Sequence, residues 1–216
     1  MRALIVDDHS MFCDGLKLLL QTLGAAVEVH TCTRSNEALQ LVQAQPWDLL
    51  LLDWHLGGNA VEGDQLIAQI LALQPGIRVV VVSADARAQR VHAAIEAGAV
   101  GFVPKEASAD LLIDAIRITS HGGIYLPATV LNRAPTHTDA PPDAVRLEQA
   151  YPRLTPRQID VLVGAVRGQS NKLIARALGI SDGTVKQHLN AVYRELSVKS
   201  RTEAVYLLAR LGIKVF

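Results

Sequence analysis

Three aspartates, a serine and a lysine stand out because each follows directly on an apolar run or closes one. Ala3-Leu4-Ile5-Val6 leads into Asp7-Asp8, Leu49-Leu50-Leu51-Leu52 into Asp53, and Val79-Val80-Val81-Val82 into Ser83, while Gly101-Phe102-Val103 continues through Pro104 to Lys105. A carboxylate is costly to bury alone, so acids at the ends of buried runs need a shared site. In an open α/β sheet, ligands bind beyond the carboxyl ends of the strands. That edge would gather three carboxylates, a hydroxyl and an ammonium. Three carboxylates raise one another's pKa unless a cation stands among them. Mg²⁺ suits such a place, because it takes oxygen ligands, keeps several waters and often joins carboxylates to a phosphate. An Asp carboxylate can attack phosphorus and form an acyl phosphate. Phosphoryl transfer then needs mainly positioning and charge neutralisation, from the metal and Lys105, with a hydrogen bond from Ser83. Any one of these residues alone is equally a helix cap or turn residue. Four strand ends that carry the right groups in order are not explained by capping alone.

The elements that must hold these groups follow from periodicity. Ala3–Val6, Val27–Thr31, Leu49–Leu52, Val79–Val82 and Gly101–Val103 read as strands. The first, third and fourth are continuous apolar runs, as expected for strands covered on both faces. Between and after them come helical spacings: Leu16, Leu19, Leu20 and Leu23; Ala38, Leu41 and Val42; Leu66, Ile67, Ile70 and Leu71; Val91, Ala94 and Ile95; Leu111, Leu112, Ala115 and Ile116. Alternating β and α segments predict a doubly wound, five-stranded parallel sheet over residues 1–121. Residues 122–150, with Pro127, Pro135, Pro141 and Pro142, read as a linker with a short helix near Ala144–Ala150.

Residues 151–216 lack strand signals and read as a four-helix domain. Thr155-Pro156-Arg157-Gln158 and Ser200-Arg201-Thr202-Glu203 are capping-box sequences. Ile159, Leu162, Val163 and Val166 mark the first helix, and Leu173, Ile174, Ala177 and Leu178 the second, ended by Gly179. Ser181 caps a third helix with Val185, Leu189, Val192 and Leu196 inward, and Val205, Leu208 and Leu211 mark the fourth. A short turn between the second and third helices is helix-turn-helix geometry, with the third placed to enter a major groove. Lys186, Gln187 and Asn190 lie off its apolar stripe and suit base edges. Arg153, Arg157, Lys172, Arg176, Lys199 and Arg201 could reach phosphates. A plain helical domain with a solvated polar face would show the same periodicity.

Charge is segregated along the chain. Residues 1–125 hold 8 Lys and Arg against 14 Asp and Glu, whereas residues 151–216 hold 11 against 4. An acidic front and a basic back imply two domains with different partners, the basic one a candidate for nucleic acid. No apolar stretch approaches the ~18 residues of a membrane span, and Asp7-Asp8 comes too early for a signal peptide. Cys13 and Cys32 are too few for a disulfide framework. A reduced cytoplasm is the expected compartment.

Leu4-Ile5-Val6-Asp7-Asp8-His9, Asp53, Ser83-Ala84 and Gly101-Phe102-Val103-Pro104-Lys105 resemble the receiver domain of two-component response regulators. The resemblance implies that Asp53 accepts phosphate from a histidine kinase. Asp7, Asp8, Asp53 and the main-chain carbonyl of His55 would hold Mg²⁺, and Ser83 and Phe102 would respond to phosphorylation alongside Lys105. The loop Leu56–Gly63 is about two residues longer than the family's and lacks its proline, and Trp54 is bulkier than the usual aliphatic residue. Leu154-Thr155-Pro156-Arg157, Ser170-Asn171-Lys172, Thr184-Val185-Lys186-Gln187-His188 and Ser200-Arg201-Thr202-Glu203-Ala204-Val205 resemble the LuxR-type DNA-binding domain. Gln158 and Leu173 depart from it, each standing where a Glu is usual. Together the two halves resemble the NarL/FixJ class of response regulators.

That class implies a phosphorylation-controlled transcription factor. Thr184, Lys186, Gln187, Asn190, Lys172 and Arg201 would contact double-stranded DNA. The active form would be a homodimer, with Val205, Leu208 and Leu211 of the last helix as candidate contacts. The only chemistry implied is self-phosphorylation from a phosphodonor and slow autodephosphorylation. The altered loop motivates an alternative, a phosphorylation-independent regulator whose receiver is a protein-docking platform. An aspartyl-phosphate phosphatase of the haloacid type would want Asp at 55, which is His, and a dinucleotide enzyme would want a Gly-x-Gly-x-x-Gly loop, which is absent.

Overall fold

The computed structural model describes residues 1–24, 26–57, 63–127 and 147–211. Most of the loop after Asp53 (58–62), the central part of the expected linker (128–146) and the last five residues therefore lie outside the described residues. The chain divides into two compact units, the first made of Met1–Ser120 and Ile124–Pro127, and the second containing residues 147–211.

In the first unit five strands alternate with five helices. They are β1 (Arg2–Val6), α1 (Ser10–Gln21), β2 (Glu28–Cys32), α2 (Ser35–Ala44), β3 (Leu49–Asp53), α3 (Gly63–Leu73), β4 (Arg78–Ser83), α4 (Ala88–Glu96), β5 (Gly101–Pro104) and α5 (Ala109–Ser120). The sheet is parallel in the order β2-β1-β3-β4-β5. The chain winds one way from β1 to β2 and the other way from β3 onward, so a crevice opens at the carboxyl ends of β1 and β3.

Alternate strand residues divide the core. Ala3, Ile5, Leu49, Leu51, Val80, Val82 and Val103 pack with Cys13, Leu16 and Leu20 of α1 and Leu112, Ala115 and Ile116 of α5. Leu4, Val6, Leu50, Leu52, Val79, Val81 and Phe102 point the other way and are equally buried. This is why the strands read as unbroken apolar runs. Two positions differ from the periodicity. β2 is displaced by one residue toward its carboxyl end, and Leu111, expected inward, is exposed. Its neighbours Leu112, Ala115, Ile116 and Thr119 complete the buried stripe of α5 without it.

After α5 the chain returns to the sheet. Tyr125 bridges Gly101 in parallel; its N–H donates to the Val100 carbonyl at 3.2 Å and its carbonyl accepts from Phe102 N–H at 3.0 Å.

The second unit comprises α6 (Leu147–Ala150), α7 (Pro156–Val166), α8 (Asn171–Leu178), α9 (Asp182–Leu196) and α10 (Arg201–Arg210). Thr155 and Gln158 complete the expected capping box of α7. Ser170, Ser181 and Ser200 cap α8, α9 and α10 through the amides of Leu173, Thr184 and Glu203. The second expected capping box is altered, because the Glu203 carboxylate accepts from Lys199 N–H, at 2.6 Å, one residue before the cap.

α9 is the spine of this unit. Val185 and Leu189 pack with Val161 and Ala165 of α7 and Ile174 and Ala175 of α8. Val192 and Leu196 pack with Leu147, Leu154, Leu162, Ala204 and Leu208. Leu147, which the sequence reading put in the linker, is thus part of this core. Leu173 is exposed rather than part of the α8 stripe.

Trp54, immediately after β3, is buried, and its ring abuts the first residue of α3. A Cβ at Gly63 would stand 2.7 Å from Trp54 Cδ2. Gly63→Ala should therefore destabilise the chain by about 1–3 kcal/mol through overpacking. Urea denaturation of Gly63→Ala in wild-type and Trp54→Leu backgrounds checks the cause. The penalty should largely vanish when the indole is removed.

Candidate functional site

The crevice at the carboxyl ends of β1 and β3 brings the candidate residues together. Asp7 follows β1, Asp53 ends β3, Ser83 ends β4, and Lys105 follows β5. Register explains the convergence. Val6 is level with Leu52, Asp53 with Val82, and Ser83 with Pro104, so the groups emerge at neighbouring levels of one sheet edge.

Lys105 Nζ lies 2.6 Å from Asp53 Oδ2 and 2.8 Å from Asp7 Oδ2. Toward Asp53 this is also a hydrogen bond. Toward Asp7 it is an ion pair without hydrogen-bond alignment, leaving Asp7 Oδ2 buried without a hydrogen-bond partner. The same ammonium lies 4.8 Å from the centre of the Phe12 ring, a cation–π contact. Burial works against the Lys105 charge, but the two carboxylates outweigh it and raise its pKa. Burial, reinforced by Asp7, pushes the Asp53 carboxyl above its ordinary value despite Lys105.

Asp8 is exposed. Burial would raise its pKa, but the Gly57 amide, 2.9 Å from Oδ2, and nearby His9 outweigh this and lower it. A Cβ at Gly57 would come within 2.7 Å of that oxygen, so glycine permits this approach. His9 Nδ1 lies 3.1 Å from Asp7 Oδ1 and 2.8 Å from Asp8 Oδ1. Ligand atoms of Asp7, Asp8, His9 and Asp53 all lie within 4.8 Å of one another. Three carboxylates that share one ammonium form a set that fits a small hard divalent cation. His55 N–H donates to Asp53 Oδ1 at 3.3 Å.

Ser83 and Phe102 are fully buried. The Ser83 hydroxyl accepts from Asp85 N–H at 3.2 Å, and its carbonyl accepts from Lys105 N–H at 2.9 Å. Asp85 in turn holds Arg87 at 2.7 Å and Arg90 at 3.4 Å. The Arg90 guanidinium lies 5.1 Å from the centre of the Trp54 ring and 3.3 Å from His55 Nε2. Sequence reasoning did not single out Phe12 or Arg90, and it gave His9 and Gly57 no contact of their own. No periodicity marks them, because each acts through a contact that only the fold creates.

In the second unit Lys172, Lys186, Gln187 and Asn190 are exposed. Lys186 Nζ pairs with Asp182 one turn earlier, at 3.0 Å. Thr184 is half-buried, with its hydroxyl 2.8 Å from the capping hydroxyl of Ser181. Two expectations are corrected. Arg201 faces inward, donating from Nη2 to the Ala165 carbonyl at 2.5 Å and the Gln169 carbonyl at 2.7 Å. Its burial lowers the guanidinium pKa, with Tyr193 partly opposing. In the folded chain its Nη2 is held by these protein carbonyls. Leu208, expected on a dimer face, belongs to the core, because α10 turns Ala204 and Leu208 inward on one stripe. Val205 is half-buried and Leu211 is exposed.

Known protein families match both units. The response regulator receiver domain matches residues 3–117, and the luxR family of bacterial regulatory proteins matches residues 152–208. The chain belongs to the response regulators that join a receiver to a luxR-type helix-turn-helix domain. It is 30% identical to the transcriptional regulatory protein LnrK of Bacillus subtilis, over all of this chain and 99% of that protein. It is 32% identical to the glycerol metabolism activator of Pseudomonas putida, over 94% of this chain and 93% of that protein. Among solved structures, a LuxR family DNA-binding response regulator from Silicibacter pomeroyi matches 59% of this chain and 97% of its own, with 31% identity and a TM-score of 0.52. The response regulator RcsB, in complex with DNA, shares the fold over 97% of this chain and 98% of its own, with 21% identity and a TM-score of 0.56. No helix among the described residues is long and apolar enough to cross a membrane.

The raised Asp53 pKa gives a signed prediction. An acid whose folded pKa lies above its unfolded value costs the native state stability once it ionises, and the cost disappears as pH falls through the folded pKa. Without divalent cations, Asp53→Asn should be more stable than the wild type at neutral pH. The difference should shrink as the pH is lowered through the raised Asp53 pKa. Urea midpoints across that range measure it, and a pH-independent difference would contradict the burial argument.

Proposed function

We propose that this chain is a phosphorylation-controlled transcription factor in which Asp53 accepts a phosphoryl group from a histidine kinase and the second unit binds double-stranded DNA. The observation that carries the reading is the convergence of Lys105 on Asp53 and Asp7, beside Asp8, at the switch point of the sheet. The Asp53 carboxylate would attack the phosphorus of the kinase's phosphohistidine, the P–N bond breaking and the imidazole leaving as the O–P bond of the acyl phosphate forms. Mg²⁺, held by Asp7, Asp8, Asp53 and the His55 main-chain carbonyl, would neutralise phosphoryl charge when bound. Lys105 would turn toward the phosphoryl oxygens, and Ser83 would offer its hydroxyl after releasing the Asp85 amide. Phe102 would occupy space that Ser83 vacates. Beyond self-phosphorylation and slow autodephosphorylation, no enzymatic activity is proposed. Reading a kinase signal and binding DNA belong together in the cytoplasm.

In the second unit, α9 would enter the major groove with Lys186, Gln187 and Asn190 toward base edges. Thr184 and Lys172 would lie near the backbone. Lys186 would leave Asp182 for a stronger partner. A module of this size covers few base pairs, so the active form would be a homodimer on two half-sites. Val205 and Leu211 remain candidate contacts on α10. Phosphorylation would favour the dimer, and by reciprocity DNA would favour the phosphorylation-competent state.

Incubation with Mg²⁺ and acetyl phosphate should add one phosphoryl group by intact-mass measurement. Asp53→Asn and Asp53→Ala should take none, and Asp8→Ala should require more Mg²⁺. Labelling that survives the Asp53 changes would identify another acceptor.

DNA binding should weaken steeply as salt rises, because phosphate contacts release counterions. Lys186→Ala or Gln187→Ala should lose about 1–3 kcal/mol of discrimination between preferred and random duplexes. Sedimentation of the same complexes should give two copies per operator. A monomer on its operator under every condition would rule out the dimer.

A further inference from the structure

α8 is a short helix between two turns, and arginines from neighbouring helices are tied to the backbone at both of its ends. Arg157, in the first turn of α7, donates from Nη2 to the Leu178 carbonyl, the last of α8. Arg201, in the first turn of α10, donates to the Gln169 carbonyl, one residue before the Ser170 cap of α8, and to the Ala165 carbonyl in the last turn of α7. One amino group therefore joins the end of α7, the turn before α8 and the start of α10. Arg201 Nε is buried without a hydrogen-bond partner among the described residues, so no second acceptor accounts for its inward course. The surroundings leave little slack. A Cβ at Gly164 would lie 2.8 Å from Ile174 Cγ1 and 3.0 Å from Gln169 Oε1.

Helix ends leave backbone groups without intrahelical partners, and a planar guanidinium can hold carbonyls that a point-charge ammonium reaches less well. Through Ile174 and Ala175, α8 packs on Val185 and Leu189 of α9. With Val161 and Ala165 of α7, α8 thus forms the seat of the first half of α9, the half that carries Lys186, Gln187 and Asn190.

We propose that Arg157 and Arg201 are positioning residues for DNA recognition, bracketing α8 so that the exposed side chains of α9 meet base edges in register. The proposal rests on the DNA-binding reading given above. Both residues act through backbone carbonyls, and neither contributes through its charge on a phosphate.

The test uses the full chain and two duplexes: one enriched from a random pool by the wild type, and a scrambled duplex of the same composition. Arg201→Lys keeps the charge and alters the fork. It should lower the affinity ratio between the duplexes by about tenfold or more, while affinity for the scrambled duplex and its salt slope stay as in the wild type. Lys172→Ala, an exposed cation, should instead weaken both duplexes alike and reduce the salt slope by about one. Arg201→Lys with the wild-type ratio overturns the proposal. So does Arg201→Ala with an intact ratio and a salt slope smaller by about one, the signature of a phosphate contact. If circular dichroism shows that Arg201→Lys has lost helix, Arg157→Lys decides, a lowered ratio supporting the bracket and an unchanged ratio overturning it. If the wild type enriches no duplex, the DNA-binding reading fails, and the bracket with it. The phosphorylation measurements are independent of that outcome.

Discussion

Lys105 Nζ stands against two buried carboxylates from different strands, 2.6 Å from Asp53 and 2.8 Å from Asp7. Most of the first unit can be read as the means of holding that arrangement. Unpaired, either acid would be expensive to bury. Paired with one ammonium, the two still carry surplus negative charge. The site is therefore an electrostatic arrangement short of one cation, and a metal or a phosphoryl group with its metal would alter its balance. Helices cover the sheet on both faces and hold its backbone in register beneath the site. β1, β3 and β4 are buried on both faces, so their carboxyl ends cannot move independently.

The second unit meets a different constraint. One helix must present a polar face while serving as the core of a small domain. α9 divides its apolar residues between two clusters, Val185 and Leu189 in one and Val192 and Leu196 in the other. This leaves Lys186, Gln187 and Asn190 outward. The exposed polar positions and the packed apolar positions of α9 are therefore different residues.

Legibility from sequence followed the range of the interaction. Continuous apolar runs revealed β1, β3 and β4, and the residues ending them revealed the acidic site. Thr155, Ser181 and Ser200 located three of the helix starts of the second unit. Contacts set by tertiary approach were not legible. Nothing local distinguishes Arg201, which turns inward, from Lys172, which faces solvent; both are basic residues near helix starts. Leu208 and Leu211 share a helix and a chemical type, and only packing against Val192 and Leu196 separates buried from exposed. Leu111 and Leu173 matched helical spacing but fell just outside their buried stripes, because a stripe's edge depends on what the opposite element covers.

The return of Tyr125 to the sheet bears on how the first unit ends. An open sheet has two edges, and unpaired edge amides are templates for unwanted strand pairing. Here one edge strand, β2, carries Glu28, which contacts both Arg2 and His30. The other edge, β5, is covered at Val100 and Phe102 by Tyr125 itself. A fragment cut after residue 121 would keep every catalytic candidate and lose that cover. It would expose the Phe102 amide, the Val100 carbonyl and the apolar surface beneath Tyr125 and Leu126. Aggregation of such a fragment would reflect an uncovered strand rather than an unstable fold, and extending it to Pro127 is the remedy.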